Sequence, residues 1–253
     1  MEQTTWTTNR TRPSPLLIAR GGASVEAPEN TIAAFELALE QCADALVVEV
    51  HLSRDGHPVV IRDFTLERTT DGAGPVRELT VRQLKRLDSG GWGGRRFRGQ
   101  RIQTLEEVLE RFRGRTRLWV ELRGGSDLYP GIEERVLSTL EIYDVVGNTL
   151  VLCFDGAPLA CVRGLNADAR LGRLLANAPA ESTRADASTI DAMCPSVELV
   201  SEDSVGAIHG AGLQCYPWTV NEPALGRRLM QWGADGLITT QPGPLRAGLG
   251  WPR

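Results

Sequence analysis

The sequence predicts an α/β barrel built as one domain, and three observations carry that expectation. Short apolar runs rich in β-branched residues alternate with amphipathic stretches from residue 15 almost to the C-terminus. No shift of composition divides the 253 residues into two units, and α/β barrels use such a length as a single domain. Most strand segments read as continuous apolar runs, which implies a parallel sheet covered on its outside by helices.

The elements follow in order. Residues 15–19 form a first strand that runs into Arg20-Gly21-Gly22. Asn30 or Thr31 caps a helix whose apolar stripe includes Ile32, Phe35, Leu37 and Leu39 and which runs to Gln41. Residues 45–51 are the next strand, and Ser53-Arg-Asp-Gly56 turns the chain into an extended run at 58–61. Residues 62–103 form a long loop insertion, rich in Gly and Arg, with one helix at 80–87 and the segment Gly90-Gly-Trp-Gly-Gly94. Thr104 caps a helix at 105–112, followed by a strand at 118–122, a helix at 130–144 and a strand at 149–154. A short helix, a strand at 170–174 and a weak stretch at 192–195 come next. A helix at 201–210, a strand at 214–220, a helix at 222–232 and a strand at 236–239 complete the pattern. That makes nine strand candidates where an eightfold barrel needs eight, and the hairpin partner at 58–61 is the expected extra.

Composition narrows the function classes. The net charge is −4, so nothing in the whole-chain balance argues for nucleic acid or an anionic membrane surface. No run of about 18 apolar residues exists, so no membrane span is expected. Residues 1–14 read as a flexible polar arm without an apolar secretion core, and the barrel as residues 15–253, in a cytoplasmic protein. The five cysteines are odd in number and lack C-x-x-C spacing, which favours reduced thiols over disulfides or a zinc site.

The site begins at Ala45-Leu-Val-Val-Glu-Val-His51. Alternation along a strand puts Glu49 and His51 on one side, as it does Trp119, Glu121 and Arg123 further on. Charged groups on buried strands are costly unless paired or placed at a strand end facing a site.

Several segments resemble the glycerophosphodiester phosphodiesterase family: Ile18-Ala-Arg-Gly-Gly22, Ala27-Pro-Glu-Asn-Thr31, Glu49-Val-His51, Asp55-Gly-His-Pro-Val-Val-Ile-Arg-Asp63, Thr65-Leu-Glu-Arg-Thr-Thr70, Trp218-Thr-Val-Asn221 and Gly233-Ala-Asp-Gly-Leu-Ile-Thr239. The resemblance is collinear from about residue 15 to 242 and implies a TIM (β/α)8 barrel with its site at the C-terminal strand ends. It also implies chemistry by two histidines and a divalent cation. Arg20 and Arg62 stand where the family has those histidines. Glu49 and Glu121 match metal carboxylates, His51 replaces a third, and Arg123 replaces a lysine. An arginine has a pKa above about 12 and cannot serve as a general base near neutrality. Arg20, Arg62 and Arg123 set against Glu49 and Glu121 give +1, the same sum as the family set with its cation.

These substitutions lead to the expectation of a different, metal-independent proton-transfer reaction, of lyase, isomerase or cyclase type, on an anionic or carbonyl-bearing small molecule. His51 would be the acid–base group, tuned by Glu49 and Glu121; Arg20, Arg62 and Arg123 would hold the ligand; Trp218 and Phe154 would wall the pocket. Two alternatives stand beside it. One is a non-catalytic binder of a phosphate-bearing ligand. The other is a metal-dependent phosphodiester hydrolase with an altered site, its cation held by Glu49, His51 and Glu121. No other cofactor is expected, and neither substrate nor oligomeric state follows from the residues.

Overall fold

In chain order the strands are β1 (Leu16–Arg20), β2 (Ala45–Leu52), β3 (Pro58–Val60), β4 (Gln103–Thr104), β5 (Arg117–Leu122), β6 (Leu150–Cys153), β7 (Arg170–Leu175), β8 (Ala192–Pro195), β9 (Gln214–Cys215) and β10 (Gly236–Thr239). The structure, a computed structural model, describes residues 14–177 and 188–252, so the expected N-terminal arm lies outside the described residues but for Ser14. Parallel pairing runs in the order β10-β1-β2-β5-β6-β7-β8-β9. The ring closes after β9, where Asp235 N–H donates to Cys215 O at 2.9 Å, Ile238 N–H to Pro217 O at 3.0 Å and Val220 N–H to Ile238 O at 2.8 Å. The result is a (β/α)8 barrel. Pro217 brings no N–H to the ladder, which is one reason why the strand expected at 214–220 is regular only at its start. The extra segment is β3, as expected: it pairs antiparallel with β2, His51 facing Val59, and β4 pairs with it in turn.

Helices α1 (Ile32–Glu40), α2 (Val81–Leu84), α3 (Leu105–Phe112), α4 (Ile132–Ile142), α5 (Gly156–Leu165), α6 (Glu202–Gly210), α7 (Pro223–Gln231) and α8 (Pro242–Leu249) are seen among the described residues. Thr31 caps α1 by accepting from Ala34 N–H, and Thr104 closes a capping box with Glu107 on α3. Leu46, Val48 and Val50 of β2 and Leu118, Val120 and Leu122 of β5 point outward into the helix layer with Phe35, Leu109 and Phe112. The alternate residues, Ile18, Val47, Trp119, Leu152, Cys194, Tyr216 and Ile238, fill the barrel interior. Burial on both faces explains why these strands read as unbroken apolar runs.

Two further elements differ from expectation. The helix expected at 80–87 is regular only over α2, because Arg86 and Leu87 continue it by bonds to Gln83 O and Leu84 O, three residues back, before the chain turns at Asp88. The last helix, α8, was not anticipated: its Pro-Gly-Pro start and second glycine mask it, although proline suits a first turn. The 62–103 insertion has a small core of its own, in which Leu66, Val76, Leu84 and Ile102 pack on Val59 and Ile61.

Candidate active site

Residues that continue the interior face of the strands reach the C-terminal mouth as charges. In the β2–β5 register Glu49 lies beside Glu121, and Arg20 ends β1 on the other side of β2. Both carboxylates are 1% exposed. Two buried anions side by side need cations, and Arg20 supplies one: its Nη2 donates to Glu49 Oε1 at 2.9 Å and lies 3.6 Å from Glu121 Oε2. Burial pulls the Arg20 guanidinium down, but Glu49 and Glu121 outweigh it and hold it above its ordinary value. Arg123 Nη1 binds the other oxygen of Glu121. Burial, helped by Glu49, pushes the Glu121 carboxyl up, against the pull of Arg20 and Arg123. Glu49 Oε2 accepts from Asn30 Nδ2 at 2.8 Å, and Arg62 Nε stands 3.8 Å from Glu49 Oε1.

His51 belongs to this cluster in space but not in chemistry. It is fully buried. Its Nε2 is 3.1 Å from Arg62 O, a carbonyl that can only accept, so the proton sits on Nε2. Nδ1 then accepts the Tyr129 hydroxyl at 2.6 Å. Burial lowers its pKa to about 4, with the Arg62 carbonyl opposing and the Arg123 charge adding to the fall. A neutral imidazole with both nitrogens bonded has no lone pair or exchangeable proton free for a substrate. This geometry corrects the expectation of His51 as the acid–base group: it holds the Arg62 turn instead. Arg123 Nε donates to the same Arg62 carbonyl at 3.1 Å.

Arg62 itself points outward, its side chain 43% exposed, and Glu29 Oε2 lies 3.9 Å from its Nη1. Trp218 and Phe154 meet edge to face at 5.7 Å, and the Arg20 guanidinium lies over the Trp218 ring at 5.3 Å. The structure thus brings together Arg20, Glu49, Glu121, Arg62, Arg123, Trp218 and Phe154 at one end of the barrel. Sequence reasoning missed Asn30, Tyr129 and the Glu29–Arg68–Asp63 chain beside Arg62. Asn30 was visible as a helix cap and within the Ala27–Thr31 segment, not as a partner of Glu49; its φ of 58° turns its amide inward to Glu49. Tyr129 lies in a loop 78 residues from His51, and nothing local announces the contact. Cys153, near a strand end, is buried and pushed up to about 11 by burial, so it is no thiolate.

A divalent cation, implied by the resemblance, would use Glu49 and Glu121. Here their oxygens are bonded to Arg20, Asn30 and Arg123, and the His51 nitrogens to Tyr129 and Arg62. The donor set does not fit a cation while Arg20 holds this place.

The chain belongs to the glycerophosphoryl diester phosphodiesterase family, whose model matches residues 21–243. It is 35% identical over 232 residues, 90% of this chain and 94% of the relative, to the glycerophosphodiester phosphodiesterase of Caldanaerobacter subterraneus subsp. tengcongensis. A Bacillus subtilis glycerophosphodiester phosphodiesterase is 31% identical, over 90% of this chain and 84% of that one. A phosphodiesterase of Oleispira antarctica, solved in complex with the product sn-glycerol-3-phosphate, superposes with a TM-score of 0.87 at 26% identity, covering 94% of this chain and 97% of that one. The family is enzymatic. These relatives overturn the expectation of a different, metal-independent reaction of lyase, isomerase or cyclase type; the alternative kept above, a metal-dependent phosphodiester hydrolase with an altered site, fits them better.

Proposed function

We propose that this protein is a phosphodiester hydrolase acting on glycerophosphodiesters, with a site altered around guanidinium groups. The observation that carries the reading is relatedness along nine-tenths of the chain to glycerophosphodiester phosphodiesterases. Three arginines at the C-terminal strand ends, Arg20, Arg62 and Arg123, support the reading. Arg62, the most exposed of the three arginines, meets the phosphate, and Arg20 lies below it at the floor. Together they offset the negative charge that builds on the phosphoryl oxygens as water attacks. Trp218 and Phe154 face the carbon skeleton. Neither Arg20 nor Arg62 accepts a proton, so catalysis rests on charge stabilisation and positioning, and turnover falls below that of a site with positioned acid–base groups by roughly 100-fold or more.

The test is release of glycerol 3-phosphate from glycerophosphodiesters, followed by a coupled dehydrogenase, with and without added divalent cations and beside an Arg62→Ala variant. Release by the wild type that falls in the variant supports hydrolysis. Binding of glycerol 3-phosphate with no release from any glycerophosphodiester would refute it in favour of a non-catalytic phosphate binder. That second reading is favoured by one observation, the bonding of both buried carboxylates to arginines.

A further inference from the structure

The segment Gly91-Trp-Gly-Gly-Arg-Arg-Phe-Arg-Gly-Gln-Arg101 carries four arginines and no acidic residue, although the whole chain has a net charge of −4. It is held at the mouth end of the barrel. Arg96 Nη2 donates to Glu26 O at 3.1 Å and Gln100 Oε1 accepts from Ala33 N–H at 3.3 Å, tying it to the loop that follows β1 and the start of α1. Its shape is fixed from within: the Asp88 carboxylate accepts the N–H groups of Gly90, Gly91 and Gly99 at 2.8, 2.9 and 3.0 Å. Asp88 is also the acidic group facing the segment from inside, and the backbone bonds satisfy it.

On this tongue Trp92 is 45% exposed. Its indole N–H already donates to Ser89 O at 3.0 Å, so what it shows to solvent is hydrocarbon. Arg95, Arg96 and Arg98 are exposed beside it. Five large hydrophobic residues are exposed among the described residues, and three of them, Val25 at 60%, Phe64 at 45% and Trp92, lie on loops at the mouth end. An exposed indole among uncompensated arginines, on a preorganised tongue, matches a surface that offers an apolar boundary and negative charge together. A soluble polyanion satisfies the arginines and leaves the apolar residues in water.

We propose that the tongue at 91–101, with Trp92 as the inserted anchor, docks the barrel mouth onto an anionic lipid bilayer. The contact is peripheral: no helix among the described residues is long and apolar enough to cross a membrane. It does not depend on the hydrolase reading.

The experiment is sedimentation of the full chain with vesicles of phosphatidylcholine alone and of an equal phosphatidylcholine–phosphatidylglycerol mixture. Binding is expected to the mixture and not to phosphatidylcholine. Arg95→Gln with Arg98→Gln, which leaves the Arg96 tether intact, is expected to weaken it roughly 30-fold at low salt. Trp92→Ala is expected to weaken it roughly tenfold, while Arg228→Gln on α7 leaves it unchanged. In wild type, brominated lipid quenches part of the tryptophan emission, and that part is missing in Trp92→Ala. Thermal unfolding of each variant shows that it is folded. No binding to the mixture, binding unaffected by the paired arginine change, or binding to heparin as tight as to vesicles with no effect of Trp92→Ala overturns the proposal; the last result points to a soluble polyanion.

Discussion

Replacing Arg20 by Met removes the guanidinium between two buried carboxylates at nearly constant volume. The consequence can be worked from the contacts. Glu49 keeps Asn30 at 2.8 Å and the distant Arg62 at 3.8 Å, and Glu121 keeps Arg123. Breaking a buried ion pair by deleting one partner costs about 3–5 kcal/mol, and since each carboxylate retains a partner the lower end, about 3 kcal/mol, applies. For a chain of this size that is a fall in Tm of roughly 6–12 °C. The adjacent anions would also drive one carboxyl to take up a proton, which blunts the loss, so the measurement belongs near pH 8. The same deletion frees carboxylate oxygens for a cation. Calcium, manganese or magnesium at about 100 times its Kd returns roughly 2.7 kcal/mol to the variant. Wild type, with the guanidinium in place, gains little. Thermal shift and titration calorimetry on both proteins read this directly. A wild type stabilised by cation as much as the variant would refute the view that Arg20 holds the cation's place; a variant as stable as wild type would refute the account of the buried cluster.

Three further outcomes are expected. Arg62→Ala weakens glycerol 3-phosphate binding about tenfold, by loss of a charge-assisted contact from a part-exposed side chain, as read by calorimetry. His51, lowered from 6.5 to about 4, stays neutral in the fold while the unfolded chain protonates; its stabilising contribution is complete above pH 6.5 and disappears as pH falls towards 4, a loss on the order of 3 kcal/mol. Urea unfolding of wild type and His51→Gln across that window gives the difference, and parallel pH slopes would reject it. Tyr129→Phe leaves the buried His51 Nδ1 without a donor and costs about 1–3 kcal/mol in the same assay.

The barrel was legible because its strands carry a local signal. Each interior strand is buried on both faces, so β2 and β5 read as apolar runs whatever lies beside them. The positions of Arg20, Glu49 and Glu121 were legible for the same reason: a period of two fixes which residues share a face, and each of these continues a face that starts with an apolar interior residue. What the period does not give is the partner. Glu49 and His51 share a side of β2, yet one ends on Arg20 and Asn30 and the other on Tyr129 and a backbone carbonyl. Arg20 ends β1, but Asn30, Tyr129 and the Arg62 carbonyl come from loops, whose geometry is set by turns and long-range packing rather than by periodicity.

The misreading of His51 has the same origin. An imidazole beside two carboxylates and three arginines looks equipped for proton transfer when only residue types are counted. Its actual surroundings differ in one respect that a count omits, the orientation of its two nitrogens, and the Arg62 carbonyl and Tyr129 hydroxyl take both. The His51 imidazole and Arg123 Nε converge on that one carbonyl, which fixes the backbone from which the Arg62 guanidinium reaches the mouth. The histidine therefore acts on the site through the arginine it positions. It follows that His51→Gln, which keeps a donor near the Arg62 carbonyl, should preserve ligand binding better than His51→Ala, which removes it. Equal losses in the two variants would show that the carbonyl contact does not set the Arg62 turn.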